Sequence, residues 1–271
     1  MTRNELISNI KSKRSFLCIG LDTDPAKIPT HFSNAEDPVF EFNKAIIDAT
    51  SDLAVAYKPN IAFYEAQGIK GWLSLKKTIE YIPKDCFIIA DAKRGDIGNT
   101  SNRYAEAFFK EYNCDAITVT PYMGHDSIEP FLKYPGHWAI VLALTSNEGA
   151  MDFQFGLSSG QFLYEKVVEK CMEWGSPDNL MFVVGATRAE LLGKIRAQAP
   201  HHFFLIPGLG AQGGSMQDII QYALTDEIGV LVNASRSIIY ADNSEKFASV
   251  ARSEAARIRN VMDSALKARG I

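Results

Sequence analysis

The sequence predicts an α/β fold built as a (β/α)8 barrel, because eight short apolar runs alternate with longer amphipathic segments along its 271 residues. The runs are rich in β-branched and aromatic residues and are nearly continuous, as expected of parallel strands that are buried on both faces. The predicted strands span residues 16–21, 54–58, 87–90, 116–120, 138–144, 181–185, 203–206 and 229–232.

The segments between these runs are predicted to be helices, because their apolar residues recur at spacings of three and four. Leu163, Val167 and Cys171 show this spacing in one of them. The predicted helices span 39–50, 102–112, 163–174, 188–199 and 216–224, with a long closing helix at 245–267. Neither a linker nor a low-complexity stretch divides the chain, so we expect residues 1–271 to form a single barrel domain.

Composition and charge argue against several classes of function. The chain is 46% hydrophobic and 22% charged, which is ordinary for a globular protein. Its net charge of −4 provides no general attraction for nucleic acid or an anionic membrane. The first residues, 1–14, are polar, and no later apolar run approaches the roughly 18 residues of a membrane span. We therefore expect a cytoplasmic protein that binds neither nucleic acid nor membranes.

The four cysteines are expected to be buried free thiols. Cys18, Cys86, Cys114 and Cys171 are far apart in the sequence, with no CxxC pair and no histidine at the spacing of a metal ligand. Free cysteine is among the residue types most often buried, and it then behaves as a small hydrophobic side chain.

The most informative stretch is Asp91-Ala92-Lys93-Arg94-Gly95-Asp96, which directly follows the third apolar run. Side chains two residues apart on a strand point the same way, so Asp91 and Lys93 should share one face, with Asp96 beyond the turn at Gly95. Carboxylates near an ammonium group favour its charged form, which suits Lys93 as a proton donor rather than an amine nucleophile. The alternative interpretation is a solvated polar turn.

Other polar residues also lie where predicted strands end, which is where barrels of this kind carry their functional groups. Asp22 follows the first strand, Lys58 ends the second and Ser146 follows the fifth. Together with Asp91 and Lys93, they are predicted to form one cluster. Each could instead shape a loop or cap a helix, as aspartate often does in turns.

A phosphate site is predicted in the loops after strands seven and eight. The glycine-rich stretch 207–215 precedes a helix, so backbone N–H groups and the helix dipole can bind an anion there. After strand eight, Arg236 can bind a phosphate through two parallel hydrogen bonds. The loop also matches the dinucleotide pattern GxGxxG, but the next strand ends in Asn233 instead of a ribose-binding acid. The remaining alternative is a flexible connector.

Five motifs in the chain resemble those of orotidine 5′-phosphate decarboxylases, and more narrowly those of the type 2 branch found in bacteria. In chain order they are Lys58-Pro59-Asn60, the stretch 91–100, the stretch 145–150, the stretch 210–214 and Ser235-Arg236-Ser237. The resemblance runs from about residue 16 to 240. Only Glu148, where many relatives carry proline, departs from the pattern.

The resemblance implies a TIM barrel lyase that converts orotidine 5′-monophosphate to uridine 5′-monophosphate and carbon dioxide. This is the last step of de novo pyrimidine nucleotide synthesis, and the family performs it without a metal or organic cofactor. Lys93 is implied to stabilise the carbanion at C6 of the pyrimidine and then to protonate it. Asp91 is implied to lie near the substrate carboxylate, and Lys58 to bridge two aspartates and the ribose.

The resemblance also implies the groups that bind the rest of the nucleotide. Asp22 would hold a ribose hydroxyl, Ser146 would read the pyrimidine amide, and Gln212 and Arg236 would bind the phosphate.

The expected working unit is a homodimer. By the same resemblance, Asp96 and Thr100 reach the active site of a partner subunit, where Asp96 completes the catalytic set.

Three alternatives remain open from the sequence. Sugar-phosphate decarboxylases and hexulose-phosphate synthases share the DxKxxD pattern but use magnesium, and the resemblance places an acid where this chain has Lys58. A Schiff-base aldolase needs an uncharged lysine, which the acids around Lys93 oppose. A catalytically silent phosphosugar-binding barrel would leave Lys93 and its neighbouring acids idle.

Overall fold

Eight parallel strands close into a barrel in the computed structural model, which describes residues 1–158, 160–185, 189–208 and 215–271. Neighbours in the sequence are neighbours in the barrel, and the first strand pairs with the last. The predicted (β/α)8 barrel is therefore confirmed. The strands are β1 (Leu17–Leu21), β2 (Ala56–Pro59), β3 (Phe87–Arg94), β4 (Ala116–Val119), β5 (Trp138–Leu144), β6 (Leu180–Val184), β7 (Phe203–Ile206) and β8 (Val230–Ala234).

Helices connect the strands and cover the outside of the barrel. In chain order they are α1 (Arg3–Lys13), α2 (Pro38–Thr50), α3 (Ile61–Glu65), α4 (Gly68–Tyr81), α5 (Gly98–Glu106), α6 (His125–Leu132), α7 (Ala150–Phe153), α8 (Leu163–Trp174), α9 (Ala189–Gln198), α10 (Met216–Tyr222), α11 (Arg236–Ile239) and α12 (Phe247–Ala268). A short hairpin formed by Leu157–Ser158 and Gln161–Phe162 follows α7. None of the helices in the described ranges is long and apolar enough to cross a membrane.

The strands are buried on both faces, as their apolar sequences predicted. All five residues of β1 are buried between the barrel interior and the surrounding helices. Near the amino-terminal ends of the strands, the Trp138 ring makes edge-on contacts with Phe87 and Phe203, at centroid distances of 6.1 and 6.4 Å. The four cysteines are buried and free, as expected from the sequence.

Several element boundaries differ from the sequence prediction, and the two that bear on the site differ by four residues. Strand β3 continues to Arg94 instead of ending at residue 90, so Asp91 and Lys93 lie within the strand and Asp96 lies beyond it. Helix α5 begins at Gly98, before its predicted start at residue 102, and ends in a π-helical turn, Ala107–Glu111. Its first turn has no apolar residue, so hydrophobic spacing could not reveal it. The turn is instead anchored by buried Ser101, whose hydroxyl donates to backbone carbonyls.

Two basic side chains, Arg3 and Arg196, lie near His202 at the amino-terminal end of the barrel. The guanidinium of Arg196 is buried and donates to the backbone oxygens of Ala199, His202, Ala223 and Gly229. His202 is only 6% exposed, and neither ring nitrogen has a hydrogen-bond partner in the described structure. Burial, together with the positive charges of Arg3 and Arg196, lowers the pKa of His202 to about 4. The ring is therefore neutral in the folded protein near neutral pH.

This arrangement predicts that the protein loses stability as the pH falls from about 6.5 to about 4. In that range the unfolded chain binds a proton at His202 that the folded chain does not, so protonation favours unfolding. His202→Leu should flatten this part of the dependence when the free energy of unfolding is measured by urea titration at several pH values. His201→Leu is the matched control, because His201 is exposed. Equal slopes for wild type and His202→Leu would contradict the prediction.

Candidate active site

The site is organised around Asp91, whose carboxylate lies between two lysine ammonium groups. Oδ2 of Asp91 accepts a hydrogen bond from Nζ of Lys58, and Oδ1 accepts one from Nζ of Lys93, both at 2.5 Å. The side chains of Lys58 and Asp91 are 6% and 10% exposed, whereas that of Lys93 is 51% exposed. Strands β2 and β3 thus bring a buried ion pair and an accessible ammonium group to the carboxyl end of the barrel.

The charges in this array stabilise one another. Burial alone would favour the protonated form of Asp91, but the positive charges of Lys58 and Lys93 outweigh it and hold its pKa well below the ordinary range. Burial likewise opposes the charge of Lys58, but the negative charges of Asp91 and Asp22 raise the pKa of this lysine above its ordinary value. Both buried groups are therefore ionised at neutral pH.

An irregularity in strand β3 places Asp91 and Lys93 side by side. Ala90 pairs with Ile117 of β4 and Arg94 pairs with Val119, so the three residues between Ala90 and Arg94 face only Thr118. Such a bulge changes the direction of the side chains on the longer strand. The backbone of Lys93 is left-handed, with φ of 48°, which is an uncommon conformation for a residue other than glycine.

Thr118 contacts both Asp91 and Lys93 across this bulge. Its Oγ1 accepts a hydrogen bond from the backbone N–H of Lys93 at 2.9 Å and donates one to Oδ1 of Asp91 at 3.1 Å. The side chain is buried, at 1% exposure.

Arg94 anchors the end of β3 on the outer side. Its guanidinium donates to the carbonyl of Ala92 at 3.0 Å and forms a salt bridge with Glu65 of α3. It also lies 5.4 Å from the centroid of the Tyr104 ring on α5. These contacts tie the functional strand to the helices on both sides.

Asp22 follows the end of β1, and one of its carboxylate oxygens is buried without a hydrogen-bond partner in the described structure. This oxygen is Oδ1, and the lack of a partner is unusual for a buried polar atom. Tyr240 holds the local backbone, because its hydroxyl donates to the carbonyl of Asp22 at 3.0 Å and accepts from the N–H of Asp24 at 2.7 Å. The structure thus places Asp22 close enough to Lys58 for their charges to interact.

Ser146 lies in the loop after β5, as predicted, and lines a cavity of about 290 Å³ together with Asn147 and Gly185. The preceding residue, Thr145, is held by Gln154: its N–H donates to Oε1 of Gln154 at 2.8 Å, and its Oγ1 accepts from Nε2 at 2.7 Å. The loop therefore has a defined anchor directly before Ser146.

Of the two predicted phosphate ligands, Arg236 and Gln212, only Arg236 lies within the described residues. Arg236 begins helix α11 directly after β8, and its side chain is exposed. Ser235 fastens this corner to the first strand, because its hydroxyl donates to the carbonyl of Gly20 at 3.1 Å. A side chain at Gly20 would collide with Ser235, since its Cβ would lie 2.7 Å from that of the serine. Gln212 lies outside the described residues.

Asp96 and Thr100 lie beyond the end of β3, away from the lysines. In the described structure, Asp96 forms no ion pair with Lys58 or Lys93, and its carboxylate instead accepts the N–H of Ile97 at 2.8 Å. Thr100 is exposed, and Ile97 is 57% exposed. The single chain therefore brings together Lys58, Asp91 and Lys93 but leaves Asp96 outside this array.

Sequence reasoning missed three residues that shape the site. Thr118 reads as an ordinary strand residue, Tyr240 lies after the recognised motifs, and Asn60 was noted only as part of a motif. Asn60 forms an isolated parallel bridge with Asp91, which fixes the end of β2 against β3. A signal for Thr118 exists in retrospect, because a hydroxyl in an apolar strand needs a partner.

Comparisons with known proteins agree with this geometry. The sequence profile of the orotidine 5′-phosphate decarboxylase/HUMPS family matches residues 15–250. The chain is 55% identical over 275 residues to the orotidine 5′-phosphate decarboxylase of Parabacteroides distasonis, covering 100% of this chain and 98% of that protein. It is 56% identical over 265 residues to the enzyme of the same name from Flavobacterium johnsoniae, covering 97% of each. The structure of OMP decarboxylase from Leishmania donovani is similar at a TM-score of 0.81 and 38% identity, covering 96% and 99% of the two chains.

Proposed function

The chain belongs to the orotidine 5′-phosphate decarboxylase/HUMPS family, and we propose that Lys58, Asp91 and Lys93 form its catalytic array. The reaction converts orotidine 5′-monophosphate to uridine 5′-monophosphate and carbon dioxide, the last step of pyrimidine biosynthesis. The observation that carries the proposal is the carboxylate of Asp91, held between two ammonium groups at the ends of β2 and β3.

Lys93 stabilises the product of carbon–carbon bond cleavage in this proposal. Loss of the substrate carboxylate leaves an electron pair on C6 of the pyrimidine, and a fixed ammonium group stabilises the developing negative charge. The same group then transfers a proton to C6, which gives the product. The half-exposed side chain of Lys93 supports this role, because its ammonium group is accessible from the open end of the barrel.

Asp91 has two effects on the reaction. Its negative charge raises the pKa of Lys58, and its two oxygens fix the positions of the Lys58 and Lys93 ammonium groups. It also lies where a bound substrate carboxylate would approach Lys93, so the two like charges repel each other until carbon dioxide leaves. The low pKa of Asp91 supports both effects, because the group remains charged when the substrate arrives.

The remaining predicted residues bind the nucleotide in this proposal. The unpartnered oxygen of Asp22 accepts a hydrogen bond from a ribose hydroxyl, and Lys58 bridges the aspartate array and the ribose. Ser146 reads the pyrimidine amide, and Arg236 binds the phosphate together with Gln212. The exposed position of Arg236 at the start of α11 supports phosphate binding through charge-assisted hydrogen bonds.

We also propose that the working unit is a homodimer and that it functions in the cytoplasm. Asp96 and Thr100 of one subunit would complete the site of the other. The exposed apolar side chains at the ends of β3 and β4 support this arrangement: Ile97 is 57% exposed and Tyr122 is 85% exposed. A second copy that covered this rim would bury them and bring an acid towards Lys93.

Replacing Lys93 with alanine should lower the decarboxylation rate by about 10³-fold or more, because both the stabilising charge and the proton donor are lost. The loss of orotidine monophosphate can be followed by ultraviolet absorbance. Lys170→Ala is the matched control, because it removes a partly exposed lysine of helix α8 that pairs with Glu173. Undiminished turnover in a folded Lys93→Ala protein would refute the catalytic assignment.

Full activity should survive exhaustive treatment with EDTA. Lys58 occupies the end of β2 beside Asp91, so a cation at that place would be repelled by two ammonium groups. Activity that is lost on chelation and restored only by magnesium would instead favour the magnesium-dependent sugar-phosphate branch of the family. Orotidine monophosphate and a phosphosugar should be assayed in parallel.

Mixing Lys93→Ala with Asp96→Ala should restore activity if subunits can exchange. When Asp96 acts across the interface, each heterodimer contains one site with both substitutions and one site with neither. With equal amounts and random exchange, roughly a quarter of the wild-type sites should return, by the symmetry of an isologous dimer.

The control for this experiment is a mixture of Lys93→Ala with Asp91→Ala. Asp91 and Lys93 lie in the same chain's array, so this mixture contains no native site and should remain inactive. If the mixture with Asp96→Ala also stays inactive despite verified exchange, Asp96 does not act across the interface.

A further inference from the structure

We infer that Thr118 is a positioning residue for the reaction, because its one hydroxyl group binds both the backbone of Lys93 and the carboxylate of Asp91. The inference rests on the proposed roles of these two residues. It adds a third strand, β4, to the catalytic array, since Lys58 comes from β2 and the other two from β3.

The bulge in β3 creates the need for such a residue. Three residues of β3 lie between the last regular pair, Ala90 with Ile117, and the next pair, Arg94 with Val119. The N–H of Lys93 therefore donates to a side chain instead of a backbone carbonyl of β4. A partly buried N–H group without an acceptor loses hydrogen bonding to water, so the hydroxyl of Thr118 lowers the cost of the bulge.

The hydrogen bonds of Thr118 use both functions of a hydroxyl. Its oxygen accepts from Lys93 N–H, and its proton is donated to Asp91 Oδ1, the same oxygen that accepts Lys93 Nζ. Oδ1 of Asp91 thus accepts hydrogen bonds from Lys93 and Thr118, and Oδ2 accepts one from Lys58. The orientation of the carboxylate is fixed from three sides by groups on three strands.

The left-handed backbone of Lys93 indicates why the hydrogen bond to Thr118 matters for catalysis. At φ of 48° the conformation is strained for a lysine, and it persists only if its surroundings favour it. The hydrogen bond to Thr118 is the contact that holds this peptide group against β4. If that bond is lost, the backbone can relax and move the ammonium group away from Asp91, and with it from the position proposed for proton transfer.

Thr118→Val tests the inference, because valine keeps the shape and the strand preference of threonine but lacks the hydroxyl. We expect kcat to fall roughly 10- to 100-fold, the scale of a small misplacement of a catalytic group. KM for orotidine monophosphate and Kd for uridine monophosphate should stay within about twofold, because the groups that bind ribose and phosphate are unchanged. Thr118→Ser, which retains the hydroxyl, should restore most of kcat.

Thr50→Val is the matched control for a purely structural effect. Thr50 is also a buried threonine whose hydroxyl makes two hydrogen bonds, with the carbonyl of Ile46 and the hydroxyl of Tyr57, but it lies in helix α2. The Thr50→Val substitution should lower the melting temperature and leave kcat unchanged. If Thr118→Val does not fold, Thr118→Ala can be compared with Thr118→Ser in its place.

The variants distinguish the positioning role of Thr118 from the catalytic role of Lys93. A wild-type kcat for Thr118→Val, or an equal loss of kcat in Thr118→Ser, would overturn the role of the hydroxyl. Lys93→Ala is measured in the same assay: if it retains activity, the catalytic assignment itself has failed. If Lys93→Ala is inactive while Thr118→Val has full kcat, only the inference about Thr118 fails.

Discussion

The buried carboxylate of Asp91 is the constraint on which the rest of the site depends. A charge that is only 10% exposed requires compensation, because moving an ion out of water costs several kcal/mol even in a relaxed protein. Lys58 provides one compensating charge from β2 and Lys93 provides the other from β3. The opposite charges offset the desolvation cost of one another, so the array forms as a unit at the carboxyl end of the barrel.

Strand β3 is irregular where this array forms. On a regular strand, Asp91 and Lys93 would point to the same face, whereas in the bulged strand the N–H of Lys93 turns to the side chain of Thr118. The bulge opposite Thr118 and the left-handed backbone of Lys93 bring the two groups within 2.5 Å. The local cost is offset by the barrel on both sides, where Ile117 and Val119 of β4 pair normally.

The barrel was predictable from sequence, whereas part of the site was not. Continuous apolar runs such as Phe203–Ile206 marked the buried strands directly, and polar residues after those runs marked the functional rim. The extension of β3 to Arg94 was not predictable, because charged residues from Asp91 onwards interrupt the apolar pattern before the pairing with β4 resumes at Arg94. Thr118 was missed for a related reason: its role depends on the register of a neighbouring strand, which a sequence pattern does not give.

The two lysines of a single chain's array differ in their acidic partners, and this difference is the physical argument for the proposed second subunit. Lys58 is close to both Asp91 and Asp22, whereas the more exposed Lys93 forms an ion pair only with Asp91 in the described structure. Asp96 lies on the same chain but beyond the strand end, where its carboxylate accepts the N–H of Ile97. In the proposed dimer, a second copy that presents Asp96 to Lys93 would give this lysine a second acidic partner. The anionic substrate would then meet a lysine held between two carboxylates, where its own carboxylate is repelled and the carbanion left by its departure is stabilised.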